Sequence, residues 1–182
     1  MHFEAQFAAL PTFDPDDHAL LTVVETAKGS RNKLSYNLAF CAFELRKVLP
    51  VGMIFPYDFG FVPGTRGDDG DPLDVLLLLD DPVPMGSVVR ARAVGAIEAE
   101  QREENSHWIR NDRLIAVATH AQLHGNIKKL KELNIGILNE IEAFFQQYNA
   151  LENREFRTLG QCGPKSALKL IKAAQKRQSQ FA

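Results

Sequence analysis

The segment Asp69-Gly70-Asp71-Pro72-Leu73-Asp74-Val75 places three carboxylates within six residues and runs directly into Leu76-Leu77-Leu78-Leu79. Ionised carboxylates at this spacing repel one another unless a cation lies between them. An oxygen-only ligand set suits hard divalent ions, above all Mg²⁺, which takes a few carboxylates together with substrate phosphates. A calcium loop of the helix–loop–helix type is a poorer reading, because Asp74 stands where the sixth loop position needs glycine. The bland alternative is an acidic turn, since Asp, Gly and Pro are ordinary turn residues.

The elements that must position these groups read as short strands followed by helices. Leu20–Glu25 and Leu34–Leu38 read as extended segments, separated by the basic turn Ala27-Lys28-Gly29-Ser30-Arg31-Asn32-Lys33. Ala42–Val48 and Gly52–Phe55 are further short apolar pieces, and Pro50, Pro56 and Pro63 exclude long helices there. Strands are expected at Leu73–Leu79, Ser87–Glu98 and Ile109–Thr119, the last two separated by a polar loop at Gln101–Ser106. The period then changes. Ile137, Leu138, Ile141, Phe144, Phe145 and Tyr148 recur at helical spacing, and a second helix is expected from Pro164. In that helix Ala167, Leu168, Leu170, Ile171 and Ala174 face inward, and Lys165, Lys169, Lys172 and Lys176 face solvent. The pattern gives a β-rich α+β fold, a small barrel with C-terminal helices, in one domain over residues 1–182 with 1–18 as an irregular leader.

Composition narrows the function. Lys and Arg total 21 against 23 Asp and Glu, a formal charge of −2, which argues against binding nucleic acid by bulk positive charge. Cys41 and Cys162 fit no metal spacing and read as reduced thiols. Met1-His2-Phe3-Glu4 lacks the basic start of a secretion signal, and no apolar run is long enough to span a bilayer, so a cytoplasmic protein without a membrane partner is expected.

The Asp69–Val75 run resembles the signature of the family I soluble inorganic pyrophosphatases, and further segments match in order. Val24-Glu25 and Lys28-Gly29-Ser30-Arg31-Asn32-Lys33 resemble the family's opening strand and basic turn. Phe43–Leu49, Phe55–Pro63, Pro84–Val89 and Phe144–Tyr148 follow, so the resemblance spans roughly residues 20–175. It implies a five-stranded OB-type barrel with flanking helices, usually assembled in bacteria as a homo-oligomer, often a hexamer. It also implies hydrolysis of diphosphate to two orthophosphates with Mg²⁺, for which Mn²⁺ is a substitute.

By the same resemblance Asp69 and Asp74 hold metal, Asp74 bridging two ions, and Asp71 takes the proton from the attacking water while lying among the metals. Glu25 is the acidic neighbour of the metals, and Asn111 stands where an aspartate ligand is usual. Lys33, Arg113 and Tyr148 contact phosphate, with either Arg46 or Lys47 as a further contact. Aligning Arg46 leaves the segment up to Phe55 one residue too long.

The chain departs from the family at several positions. Ser35 replaces Glu, Phe55 and Phe59 replace tyrosines, Asn149 replaces Lys, and Asn111 with Arg113 replaces Asp with Lys. Asp112 is a substitute for the lost carboxylate, but in a strand it points to the opposite face. The acid expected after Glu98 has three substitutes, Glu100, Glu103 and Glu104. These losses keep an alternative open: an impaired relative that binds phosphate compounds or acts on another phosphoanhydride. An OB-type nucleic-acid module, using Phe55, Tyr57, Phe59 and Phe61 as a stacking platform, is disfavoured by the acidic cluster nearby.

Overall fold

The structure is a computed structural model that describes residues 7 and 9–181. Among the described residues nine strands and two α-helices follow in order: β1 Leu20–Thr26, β2 Asn32–Asn37, β3 Ala42–Val48, β4 Asp58–Phe61, β5 Asp74–Leu78, β6 Val88–Glu103, β7 Ile109–Arg110, β8 Arg113–Ala118, α1 Ile135–Ala150, β9 Arg154–Cys162 and α2 Pro164–Ser179. Five strands close a ring, β1–β4–β5–β8–β6 and back to β1, the OB-type barrel with C-terminal helices that the sequence led one to expect. β2 and β3 form a separate hairpin, and β7 and β9 extend β6 beyond the ring.

The unbroken apolar run of β5 follows from burial on both faces. Leu76 and Leu78 join one cluster with Ile115, Val117, Phe55, Phe59 and the α1 residues Ile141, Phe144 and Phe145. Val75 and Leu77 join another with Leu114, Ala116 and the α2 residues Ala167, Ile171 and Ala174. Closure brings β1 and β4 so near that a Cβ on Gly60 would collide with the Val23 carbonyl, which leaves only glycine there. α1 starts at Asn134, whose side chain accepts the Gly136 N–H at 2.8 Å, and α2 starts with Pro164 in its first turn.

Several expectations need correction. Gln101–Glu103 are not loop but the end of β6, held by pairing to β9. Ile109–Thr119 is not one strand: it breaks at Asn111–Asp112, where Asp112 Oδ1 accepts the Ala99 N–H at 3.0 Å in place of a backbone carbonyl. Of the two short apolar pieces, Ala42–Val48 is β3, whereas Gly52–Phe55 follows a turn at Val51–Gly52 closed by the Met53 N–H donating to the Pro50 carbonyl. Leu168 is 40% exposed, because the buried stripe of α2 runs through Ala167, Ile171 and Ala174. β4 and β9 were not anticipated: β4 is four residues between prolines, and β9 alternates half-buried and exposed residues without an apolar run. Of the expected leader, residues 1–6 and 8 lie outside the described residues. The rest is turn-rich, and Asp14 within it meets Arg90 of β6 at 2.6 Å.

Candidate active site

Asp69 and Asp71 lie on the turn between β4 and β5, and Asp74 is the first residue of β5. Gly70, at φ +94°, supplies the left-handed corner that lets the turn reverse, and the Asp69 carboxylate accepts the Asp71 N–H at 3.2 Å. β5 and β8 run parallel with Asp74 opposite Arg113, so both side chains leave the same end of the barrel. Arg113 Nη1 lies 2.7 Å from Asp74 Oδ2, with the guanidinium 4.8 Å from the Phe145 ring centre and only 4% of the residue exposed.

On β1, Glu25 Oε2 meets Lys33 Nζ at 3.0 Å, and Oε1 accepts the Tyr36 N–H at 2.7 Å. The Lys33 ammonium also sits 4.3 Å from the centre of the Phe59 ring. The phenylalanine at position 59 thus keeps a contact with the lysine through its π face, although it lacks a hydroxyl. Lys47, paired in register with Lys33, lies 3.5 Å from the Tyr148 ring centre and 3.0 Å from Glu152.

The register separates Arg46 from Lys47. A bulge falls between Lys33, opposite Lys47, and Leu34, opposite Leu45, which leaves Arg46 unpaired. Arg46 turns to solvent and binds Glu44 at 2.9 Å, whereas Lys47 stays opposite Lys33 beside Tyr148. Other expectations change for similar reasons. The Asn111 side-chain carbonyl faces the Arg113 guanidinium and accepts its Nη1–H. Asp112 lies in the break between β7 and β8, not in a strand; it binds Arg110 at 2.7 Å and lines the same small cavity as Asp69, Asp74 and Asn111. Glu100 and Glu103 pair with Arg157 and Arg154 of β9, and Glu104 is exposed in the turn. Asn149 is buried and donates to the Phe145 carbonyl at 2.8 Å. Phe55 is core, 1% exposed against Phe144. Trp108 lies under the guanidinium groups of Arg102 and Arg157, and His107 is exposed.

Asp69, Asp74 and Asn111 line one small cavity, together with Asp68, Arg110 and Arg177. Arg177 binds Asp68 at 3.1 Å and Arg110 binds Glu98 at 2.7 Å. Sequence reasoning missed these wall residues, since nothing local links α2 to the Asp69 turn. Phe145 was read as core, and its role beneath Arg113 needed the register of α1 against β8.

The electrostatics are those of a site short of cations. Burial raises the Asp69 carboxyl, with the charges of Asp74 and Asp71 adding to the effect, to about 6. Asp69 keeps an open edge to solvent, so part of this rise is screened there. Burial likewise raises Asp74 against the opposing pull of Arg113 and Lys33, and raises Glu25 against that of Lys33. Burial also pushes the Tyr148 phenol up, leaving it a neutral hydrogen-bond donor. Among the described residues no three Asp, Glu, His or Cys side chains already form a closed ligand cage. The donor set itself, carboxylate and amide oxygens with carboxyls held above their ordinary range, fits a hard divalent cation.

A family model described as inorganic pyrophosphatase matches residues 22–179. The inorganic pyrophosphatase of Thermus thermophilus is 33% identical over 172 residues, 93% of this chain and 95% of that protein. The Nostoc sp. inorganic pyrophosphatase is 34% identical over 146 residues, 80% of this chain and 83% of that protein. In three dimensions the T. thermophilus crystal structure aligns at a TM-score of 0.86 with 32% identity, covering 95% of this chain and 98% of the other. That of Helicobacter pylori inorganic pyrophosphatase aligns at 0.83 with 32% identity, covering 94% and 99%.

Proposed function

This chain belongs to the inorganic pyrophosphatase family, and we propose that it hydrolyses inorganic diphosphate to two orthophosphates with Mg²⁺, acting as one domain. The observation that carries this reading is the alignment of opposite charges at one barrel end. Asp69, Asp71 and Asp74 crowd one turn, while Lys33, Lys47, Arg113 and Tyr148 come from four other elements around them.

Diphosphate is small and densely charged, and its recognition needs cations from several directions. Arg113 offers a planar fork to two phosphoryl oxygens, and Lys33 and Lys47 offer point charges held in place by Glu25 and Glu152. The Tyr148 hydroxyl, kept protonated, donates to a third oxygen. Asp69, Asp74 and Asp71, with Glu25 and the Asn111 carbonyl behind them, would hold Mg²⁺. The cation there supplies charge neutralisation of the phosphoryl oxygens and a lowered pKa for water. Asp71, on the exposed side of the turn, takes the proton from the attacking water. Phe55 and Phe59 pack together in the core beneath Lys33.

We extend the reading to a cytoplasmic homo-oligomer, supported by the two free thiols, Cys41 and Cys162, and by the family's habit. No helix among the described residues is long and apolar enough to cross a membrane. The test of the reaction is phosphate release from diphosphate, tripolyphosphate and nucleoside di- and triphosphates, each with Mg²⁺, with Mn²⁺ and with chelator. Metal-dependent release from diphosphate, faster than from the others, is expected. Release only from a nucleotide would reassign the substrate.

A further inference from the structure

We propose that Arg113 is an internal counter-cation of the carboxylate site: it pairs with Asp74, competes there with a divalent cation, and is drawn off by substrate phosphate, which eases metal binding. The proposal rests on the reading above in one respect, that Asp74 is a metal ligand.

Four observations converge on it. The parallel register sets Arg113 opposite Asp74, so their contact is fixed by the barrel and needs no loop movement to form. The ion pair is close, 2.7 Å, and the arginine is 4% exposed, which removes it from competition with water. Both Asn111 oxygens, the backbone one at 3.1 Å and the side-chain one, accept from the same nitrogen, Nη1. Meanwhile the buried Nε of Arg113 has no hydrogen-bond partner among the described residues. Such an orphaned donor leaves the guanidinium incompletely satisfied on Asp74.

A phosphoryl group offers what this arrangement lacks, two acceptor oxygens matched to the guanidinium fork. The Phe145 ring, 4.8 Å away, gives the group a flat surface along which to turn, with Phe156 at 5.9 Å beyond it. An Asp74 oxygen engaged by a guanidinium cannot also hold Mg²⁺ without placing two cations side by side. The amide at position 111 sharpens the conflict. It supplies one fewer negative charge than a carboxylate would, so the same charges hold a metal and a guanidinium less well together. Phosphate and metal therefore act on opposite ends of one ion pair. Each favours the other, and the coupling is reciprocal.

Calorimetric titration of Mn²⁺ into the wild type, Arg113→Met and Arg113→Lys, without and with inorganic phosphate, tests this. In phosphate-free buffer Arg113→Met is expected to bind Mn²⁺ about tenfold more tightly than the wild type, with Arg113→Lys in between. Phosphate should narrow that difference, because it draws Arg113 off Asp74 in the wild type. Equal or weaker binding by Arg113→Met without phosphate would overturn the proposal. If circular dichroism shows that Arg113→Met does not fold, Arg113→Lys decides in the same way: tighter than wild type supports it, unchanged or weaker overturns it. Failure of the hydrolysis reading is separable, since a wild type inactive on diphosphate leaves these affinities to decide. Absence of Mn²⁺ binding in all three proteins would overturn both.

Discussion

The mouth of the barrel and the β6–β7–β9 extension are both built from basic side chains facing carboxylates, yet they do different work. In the extension, Arg102 meets Glu155, Arg154 meets Glu103 and Arg157 meets Glu100, on strands where these side chains are open to water. At the mouth, Lys33 and Glu25 are each about a tenth exposed, and Arg113 holds Asp74 beneath aromatic rings. Exposed pairs are screened and contribute little, whereas a buried charge robbed of its partner is costly. The same chemical pairing thus gives a stiff, forgiving edge in one region and a charged, unforgiving site in the other.

Asp74→Ala should give the largest effect that sharpens this contrast. It strands Arg113 in a buried setting, so thermal or denaturant unfolding should show a loss of about 3–5 kcal/mol together with loss of Mg²⁺-dependent activity. Lys47→Ala should raise KM for diphosphate about tenfold or more, as expected for a lost charge-assisted contact, while Arg46→Ala leaves the steady-state constants unchanged. The reverse ranking would return the phosphate contact to the bulged arginine.

A smaller effect belongs to Asp14, which accepts the Asp16 N–H and binds Arg90, both of which hold its carboxyl below the usual range. A carboxyl lowered on folding stabilises the folded state above its unfolded pKa, and that advantage fades as pH falls through the folded value. The stability gap between wild type and Asp14→Asn, measured by denaturant unfolding, should therefore be steady at neutral pH and close on acidification. Smallest of all, Arg157→Ala should shift unfolding by no more than about 0.5 kcal/mol, less in high salt, with activity intact. A large loss there would erase the distinction between the two regions.

The two regions also differed in how much of them could be read from the chain. The mouth was legible because its residues sit in compact motifs: the Asp69–Asp74 turn, the Lys28–Lys33 turn and the helical stripe ending at Tyr148 each declare themselves locally. The barrel was legible through its apolar strands, and α1 and α2 through period and Pro164. The extension was not, because β9 alternates half-buried with exposed residues and is stabilised by pairing to β6, a partner more than fifty residues away in sequence. For the same reason Gln101–Glu103 looked like loop, and Glu100 and Glu103 looked free to bind metal until Arg157 and Arg154 were found on them. The different settings of Lys47 and Arg46 come from a bulge, which is a property of two strands and invisible in either alone. The Arg113–Asp74 pair likewise depends on the register of β5 against β8.

The central claim is that the carboxylates of one turn and the cations around them hydrolyse diphosphate. It is tested most directly by phosphate release from diphosphate at neutral pH with Mg²⁺, comparing the wild type with Asp71→Ala. Metal-dependent release is expected in the wild type, with a fall of about 10²–10⁴-fold in kcat for the variant, which keeps its fold because Asp71 is exposed. Equal rates in the two proteins, or no release by a folded wild type that binds Mg²⁺, would contradict it.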